Sequence, residues 1–155
     1  MLIELLTAGG LAKLVGAVGL VVFTVVIHAA GFSVLLRAMI RSHAEDTSGF
    51  WRITRLVVGL TCWLMLIHLV EISVWGLFYF WQGCIPDAPD AGSALYFSGV
   101  TYTSLGYGDQ LLAKSWHMLA PLETLTGILM CGLSTGLFFA VVSRFMTKFM
   151  KSRAR

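Results

Sequence analysis

The sequence predicts an all-α integral membrane protein with three transmembrane helices and a short re-entrant segment. Of its 155 residues, 57% are hydrophobic and only 12% are charged, a composition that suits a lipid bilayer better than water. Three apolar runs, at about residues 14–36, 53–80 and 117–145, are each long enough to cross the hydrocarbon as a helix. A fourth apolar stretch, residues 93–104, is too short to span and has the length of a re-entrant segment.

The first run is interpreted as a retained helix within an N-terminal segment of residues 1–40. Residues 1–10 form a short outward lead-in. A cleaved signal peptide is not favoured, because Glu4 lies near the start, Lys13 comes late and no small-x-small cleavage site follows. The polar residues 41–52 are predicted to be a connecting linker.

Basic residues indicate the orientation of the chain. Nine of the eleven Lys and Arg lie between the first two runs or after the third, and cytoplasmic loops are rich in these residues. We therefore expect the linker and the tail, residues 146–155, in the cytoplasm, and the N-terminus and residues 81–116 outside. The tail is expected to contact anionic lipid rather than nucleic acid. We place the chain in the plasma membrane as a multi-pass protein, in a bacterial inner membrane. The nine residues are Arg37, Arg41, Arg52, Arg55, Arg144, Lys148, Lys151, Arg153 and Arg155.

The outer segment combines a loop, a short helix and a glycine-containing strip. GCIPDAPDAG is rich in Pro, Gly and Asp, as loops are, and Ser93 is predicted to cap the helix that follows. The strip TSLGYGD, residues 103–109, comes next. Irregular backbone at membrane depth is tolerated only inside protein or along a water-filled path, where carbonyl oxygens can replace the hydration shell of a cation. One chain cannot enclose such a path, so we expect several copies around it.

The segment ALYFSGVTYTSLGYGD, residues 94–109, resembles the pore helix and selectivity filter of tetrameric potassium channels. The resemblance covers a pore module of residues 53–145, to which the first span is an addition. It implies a homotetramer that conducts K⁺ passively, with K⁺ as the permeant ion and no other cofactor. The implied elements are an outer helix at 53–80, a pore helix at 92–103, a filter at 104–108 and an inner helix at 115–145.

Carried over to this sequence, the resemblance assigns roles within the filter. Carbonyl groups at four positions would coordinate K⁺, helped by the hydroxyl of Ser104, while Gly108 would shape the outer mouth. Thr103, at the negative end of the pore helix, would aim that end at the cavity. We expect Gly106 and Gly108 to allow alternating backbone handedness, and the side chains of Leu105 and Tyr107 to point back into protein. The four K⁺-coordinating residues are Ser104, Leu105, Gly106 and Tyr107.

Behind the filter, the sequence departs from the family. Val100 stands where some relatives have a Glu, and Phe97 where an indole donor is common, so Asp109 needs a different partner. We predict a hydrogen bond from Tyr96 to Asp109, within or between subunits, as support for the filter.

Ionisable residues in the spans suggest a second feature. His68 and Glu71 lie three residues apart, hence on one helical face, and His28 lies near the middle of the first run. Intramembrane ionisable groups raise a functional hypothesis, here that Glu71 pairs with either histidine and that protonation biases the pore. The alternative is structural support, in which Glu71 bonds groups of the pore helix.

The third run contains a band of small residues, followed by large apolar residues that are candidates for a gate. Gly127 and Gly132 are candidate hinges, whereas Gly136, in the motif GLSTG, is expected to serve close packing. Glu123, in the first turn of this helix, is expected to interact favourably with the helix N-terminus or to support the filter from behind, with a cation-attracting ring at the outer mouth as the less favoured alternative. The candidate gate residues are Phe138, Phe139 and Val142.

Other functional classes receive less support. The sequence has no nucleophile paired with a base, no metal-spaced set of Cys and His and no phosphate-binding loop, so we do not predict an enzyme. A non-selective or Na⁺-permeable channel of the same fold remains an alternative, as does a regulatory subunit. His28 and His68 could instead ligate a haem between the first two spans. Cys84 is expected to be a free thiol, with a disulfide to a neighbouring subunit as the alternative.

Overall fold

A computed structural model describes residues 8–41, 50–87 and 89–153 of the chain. These residues form four helices and one 3₁₀ turn, with no strand among them, which confirms the predicted all-α class. The remaining parts of the predicted lead-in, linker and tail lie outside the described residues. The elements are α1 (Ala8–Arg41), α2 (Phe50–Trp81), α3 (Ala91–Tyr102), a 3₁₀ turn (Lys114–Trp116) and α4 (Leu119–Arg153).

Three of these helices are long and apolar enough to cross a membrane, and together they make the chain a multi-pass membrane protein. The spans are Gly10–Met39, Ile53–Trp81 and Lys114–Thr147. Each helix extends beyond the apolar run that predicted it, because hydropathy marks only the hydrocarbon-facing part and a helix can continue into the interface. Many Val, Leu and Ile side chains on these helices are exposed, as lipid-facing residues are.

The short helix α3 begins one residue earlier than predicted, and its cap is different. Asp90, not Ser93, is the N-cap: its carboxylate accepts hydrogen bonds from the Ser93 backbone N–H at 2.9 Å and the Ser93 hydroxyl at 2.6 Å. The prediction of Ser93 as the cap was wrong because an aspartate three residues upstream competes for the same role. Hydrogen bonds from Ser93 lower the pKa of Asp90 from its ordinary value.

Two glycines allow α3 to approach the spans closely. A Cβ at Gly76 of α2 would lie 3.0 Å from the Leu95 Cα, and a Cβ at Gly127 of α4 would lie only 2.1 Å from the Tyr102 carbonyl oxygen. Both ends of α3 are therefore fixed against neighbouring helices, and the strip that follows α3 leaves from a rigid base.

The additional helix α1 packs against the pore module of its own chain. The Trp63 indole donates to the Gly31 carbonyl at 3.0 Å, and the Trp75 indole donates to the Thr24 hydroxyl at 3.0 Å. Gly31 leaves room for this approach, since a Cβ there would overlap the Ile67 side chain at 2.5 Å. α1 is thus anchored to α2 by buried indole hydrogen bonds as well as by apolar contacts.

The outer loops fold over the top of this bundle. The Ala113 backbone N–H donates to the Cys84 carbonyl at 2.9 Å, which joins the loop before α3 to the loop after the strip. Cys84 is free and fully buried, and burial raises its pKa to about 11. A disulfide to a neighbouring subunit does not agree with this burial.

Candidate functional site

The strip after α3 begins as a tight continuation of the helix end. The backbone N–H groups of Ser104, Leu105 and Gly106 donate to the carbonyls of Thr101 and Val100, at distances between 2.9 and 3.2 Å. These bonds satisfy carbonyls that a helix end leaves unpaired. The start of the strip is therefore held by α3 itself.

Backbone handedness alternates along the strip. Ser104, Gly106 and Gly108 have φ values of 58°, 55° and 76°, in the left-handed region, whereas Leu105 and Tyr107 do not lie there. The alternation predicted for the two glycines is present and includes Ser104 as well. Ser104 is the sole non-glycine residue with positive φ in the described part of the chain, a conformation that costs an L-residue roughly 1–2 kcal/mol.

The carbonyl oxygens of the strip are available to a ligand. Within the described residues, no backbone N–H donates to the carbonyls of residues 104–107. The Ser104 hydroxyl donates to the Thr103 carbonyl at 2.6 Å, so its oxygen keeps lone pairs for a cation. Backbone oxygens without protein partners are the groups with which a filter replaces water around K⁺.

The larger side chains of the strip are exposed within their own chain. In the single chain, Leu105 is 57% exposed and Tyr107 is 67% exposed. The expectation that they point back into protein concerns several copies around an axis, so it stays a prediction.

Tyr96 and Asp109 approach one another within one chain, while their role as support for the filter stays a prediction. A hydrogen bond to the Asp109 side chain is the main cause that raises the pKa of the Tyr96 hydroxyl from its ordinary value. The phenol donates and the carboxylate accepts. This contact would connect the middle of α3 to the residue that follows Gly108, at the outer end of the strip.

Behind α3, Glu123 is the centre of a buried polar group that sequence reasoning located only in part. Glu123 is fully buried and accepts hydrogen bonds from the Tyr79 hydroxyl at 2.7 Å and the Ser98 hydroxyl at 2.6 Å. The burial agrees with a supporting role and not with an outer-mouth ring. Tyr79 and Ser98 were missed, although each is a hydroxyl in an apolar run, which is the signal of a buried partner.

A second buried polar group, the Glu71 cluster, lies between α1, α2, α3 and α4. His28 Nδ1 is 2.8 Å from Glu71 Oε1, and His68 Nδ1 is 3.2 Å from Glu71 Oε2. The Tyr102 hydroxyl donates to the same Oε2 and lies 3.1 Å from His68 Nδ1. Glu71 thus pairs with both histidines and also with a hydroxyl of α3, so both hypothesised sets of partners occur together. The response of this cluster to pH stays a prediction.

Ser134 of α4 completes the cluster. Its hydroxyl lies 3.0 Å from His68 Nε2 and 3.4 Å from His28 Nε2. This role was not predicted from the sequence, because Ser134 lies among small residues that indicate helix packing. The two imidazole rings are 5.4 Å apart between centroids, and one carboxylate contacts both. A haem plane has no space between them, so the haem alternative does not agree with this packing.

The candidate hinge glycines of α4 differ in how closely they are packed. A Cβ at Gly127 would collide with α3, whereas no neighbour lies within 4 Å of such an atom at Gly132 or Gly136. Within one chain, Gly127 packs closely against α3 and Gly136 has no neighbour at this distance, while the hinge at Gly127 and the packing role of Gly136 stay predictions. Gly127 is thus less free to bend than Gly132.

The three gate candidates also differ. Phe138 and Val142 pack against a buried cluster that includes Leu60 and Leu64, while Phe139 is 72% exposed. Only Phe139 projects from the subunit, so it is the candidate best placed to meet other copies of the chain.

Within the described residues, two long helices pack against a short helix that is followed by a strip of carbonyls without backbone donors, an arrangement that agrees with a membrane channel. The chain belongs to the ion-channel pore family, since a family model described as "Ion channel" matches residues 67–147, just over half of the chain. The match covers the second half of α2, all of α3 and the strip, and most of α4. Neither the curated proteins nor the solved structures give a significant match.

Proposed function

We propose that this ion channel is a potassium-selective homotetramer in which residues 104–108 form the selectivity filter. K⁺ would be coordinated by the carbonyls of Ser104, Leu105, Gly106 and Tyr107, with the Ser104 hydroxyl at the inner end. The observation that carries the proposal is the alternation of positive φ along the strip, together with carbonyl oxygens that no backbone N–H in the described chain occupies.

A tetramer is supported by what one chain leaves incomplete. A ring of carbonyls needs several strips around one axis, and the exposed side chains of Leu105 and Tyr107 need neighbours to cover them. Neighbouring copies would supply both. In this assembly, α4 would line the pore below the filter, and the exposed Phe139 would be its narrowest apolar point.

The orientation follows from charge. Basic residues at the ends of α1 and α4, such as Arg37, Arg41 and Arg144, favour a cytoplasmic location for both ends. The strip and the loops around it would then face the outside, as in a plasma-membrane channel whose filter opens outward.

The second candidate is a cation channel of the same fold that also admits Na⁺. It is favoured by Ser104, because the potassium channels that residues 94–109 resemble usually have Thr at this position, and Ser keeps the hydroxyl but lacks the methyl group. Both candidates predict cation flux, so they differ only in the ratio of K⁺ to Na⁺ permeation.

Flux into liposomes that contain the purified protein tests the proposal. K⁺ uptake should be rapid in the wild type and should fall at least tenfold in Gly106→Ala, because a Cβ at a φ of 55° disturbs the strip. Gly83→Ala is the matched control: Gly83 has a φ of 57° and open space around it, but it lies in the loop after α2.

The two substitutions carry the same local backbone penalty, so general destabilisation should affect both alike. Loss of flux in Gly106→Ala with normal flux in Gly83→Ala supports the filter assignment. Equal K⁺ flux in wild type and Gly106→Ala would contradict it, and equal K⁺ and Na⁺ flux in the wild type would favour the second candidate.

A further inference from the structure

The Glu71 cluster gathers imidazole, carboxylate and hydroxyl groups from four helices at one buried point. His28 comes from α1, His68 and Glu71 from α2, Tyr102 from α3 and Ser134 from α4. We propose that His28, His68 and Glu71 bind one divalent transition-metal ion of the zinc type, with the Tyr102 hydroxyl oxygen as a fourth ligand. The proposal goes beyond conduction and does not depend on it.

The spacing of these atoms is close to that of a tetrahedral site. Bonds of ~2.0–2.1 Å to zinc place neighbouring ligand atoms about 3.3 Å apart. Here His28 Nδ1 and Glu71 Oε1 are 2.8 Å apart, His68 Nδ1 and Glu71 Oε2 are 3.2 Å apart, and His68 Nδ1 and the Tyr102 hydroxyl are 3.1 Å apart. One ligand atom from each of the two histidines and Glu71 lies within 4.8 Å of the others. The widest separation in this set would have to close by up to about 1.5 Å to reach the tetrahedral spacing of about 3.3 Å.

Proton counting gives an independent argument. If both neutral histidines donate Nδ1–H to the Glu71 carboxylate, both Nε2 atoms become acceptors. Both face the same Ser134 hydroxyl, at 3.0 and 3.4 Å, which has a single proton. One Nε2 then lacks a donor. Two arrangements without a metal avoid this: that ring carries an additional proton and pairs with Glu71 as an imidazolium, or His68 donates from Nε2 to Ser134 and accepts the Tyr102 hydroxyl proton at Nδ1 in place of Glu71.

A metal ion on the Nδ1 side removes this conflict. Each ligating ring then carries its proton on Nε2, and the lone pairs of Ser134 Oγ accept both N–H groups. A histidine that binds a metal ordinarily donates its other N–H to a nearby acceptor, which fixes the orientation of the ring. Ser134 is placed to be that acceptor for His28 and His68 at once.

The ligand set indicates the class of ion. Two imidazole nitrogens suit zinc and its neighbours in the first transition series, whereas Mg²⁺ and Ca²⁺ prefer oxygen ligands. One carboxylate leaves a divalent ion with a net positive charge, which an apolar membrane interior disfavours. Tyr102 as a phenolate would bring the net charge of the site to zero.

Binding would connect the additional helix to the filter. The ion would bridge α1 and α2 to Tyr102, the last residue of α3 and the one that precedes Thr103 at the base of the strip. His68, 15% exposed, gives the ion its approach, since His28 and Glu71 are closed off by packing.

The experiment is Zn²⁺ titration of the purified full chain, after treatment with a chelator, by calorimetry. The expected result is one ion per chain, with affinity at least about 100-fold weaker in His28→Gln and in His68→Gln and about tenfold weaker in Ser134→Ala. His117→Gln is the matched control, because His117 is an exposed histidine outside the cluster, and its affinity should equal that of the wild type. Co²⁺ should give the strong visible absorption of tetrahedral coordination.

Each other outcome overturns the proposal. These outcomes are no binding by folded wild type, binding that His28→Gln and His68→Gln leave unchanged, and binding that His117→Gln abolishes. Gel filtration reports whether the variants fold. Should both histidine variants fail to fold, Ser134→Ala decides, because it removes only a hydroxyl: unchanged Zn²⁺ affinity in that variant contradicts the arrangement.

Discussion

The filter strip and the Glu71 cluster meet at Tyr102 and Thr103 but differ in burial and in whether their polar groups have partners. The strip, residues 104–108, is exposed, and its carbonyls have no backbone donors within the described chain. The cluster is buried, and its polar groups contact one another across four helices. The polar groups of one region are satisfied within a single chain, whereas the strip would be completed only in the proposed tetramer. Substitutions in the cluster should therefore affect folding stability, whereas substitutions in the strip should affect conduction.

Glu71→Leu should have the largest effect on stability. It removes the acceptor shared by His28, His68 and Tyr102, and loss of one partner from a buried pair costs about 3–5 kcal/mol. The apparent melting temperature in detergent should fall strongly. Asp109→Asn, which changes an exposed carboxylate of the outer strip, is the comparison and should melt close to the wild type. Equal melting temperatures of the two variants would contradict the claim that the cluster contributes more to folding stability than the strip.

Gly127→Ala should have the next largest effect. Its Cβ would lie 2.1 Å from the Tyr102 carbonyl oxygen, which is backbone and cannot rotate away, and such overpacking costs about 1–3 kcal/mol. Gly132→Ala introduces the same atom into open space on the same helix, so thermal unfolding of that variant should be unchanged. If Gly132→Ala nevertheless slows channel opening in planar bilayers, Gly132 is the hinge.

Tyr79→Phe and Tyr107→Phe compare one chemical change in the two kinds of region. Tyr79→Phe takes a hydrogen bond from the buried Glu123, which costs about 1–3 kcal/mol, and should lower the melting temperature. Tyr107→Phe removes an exposed hydroxyl of the strip and should leave melting unchanged. A larger loss of stability in Tyr107→Phe would show that the strip is held within the subunit after all.

Tyr96→Phe should have the smallest effect on stability and a measurable effect on conduction. It removes the hydroxyl of α3 that lies near the Asp109 carboxylate at the outer end of the strip. Single-channel recording should show altered open lifetime or altered selectivity. If both stay as in the wild type, Tyr96 does not brace the filter.

The spans, the short helix and the strip were predictable because each depends on local sequence. Hydropathy over about 20 residues identifies a transmembrane helix, and an apolar stretch too short to span, followed by GYG, indicates a re-entrant loop. Helix ends were less accurate, since polar residues beyond the hydrocarbon still continue a helix. The cap of α3 was misplaced because Asp90 and Ser93 are both capping residues.

The partners of the buried polar groups could be predicted only in part, because they are distant in sequence. His68 and Glu71 share a helical face, so their contact follows from spacing. The contacts of Ser134 with His28 and of Ser98 with Glu123 depend on how whole helices pack. The role of Gly127 likewise depends on the position of the Tyr102 carbonyl, which no local pattern contains.

The central claim is that the carbonyls of residues 104–107 select K⁺ in a tetrameric pore. The most direct measurement is the reversal potential of the purified channel in a planar bilayer, with K⁺ on one side and Na⁺ on the other. A strongly K⁺-selective filter predicts a current that reverses near the K⁺ equilibrium potential. A reversal potential near zero would show that both ions pass equally, and would contradict potassium selectivity.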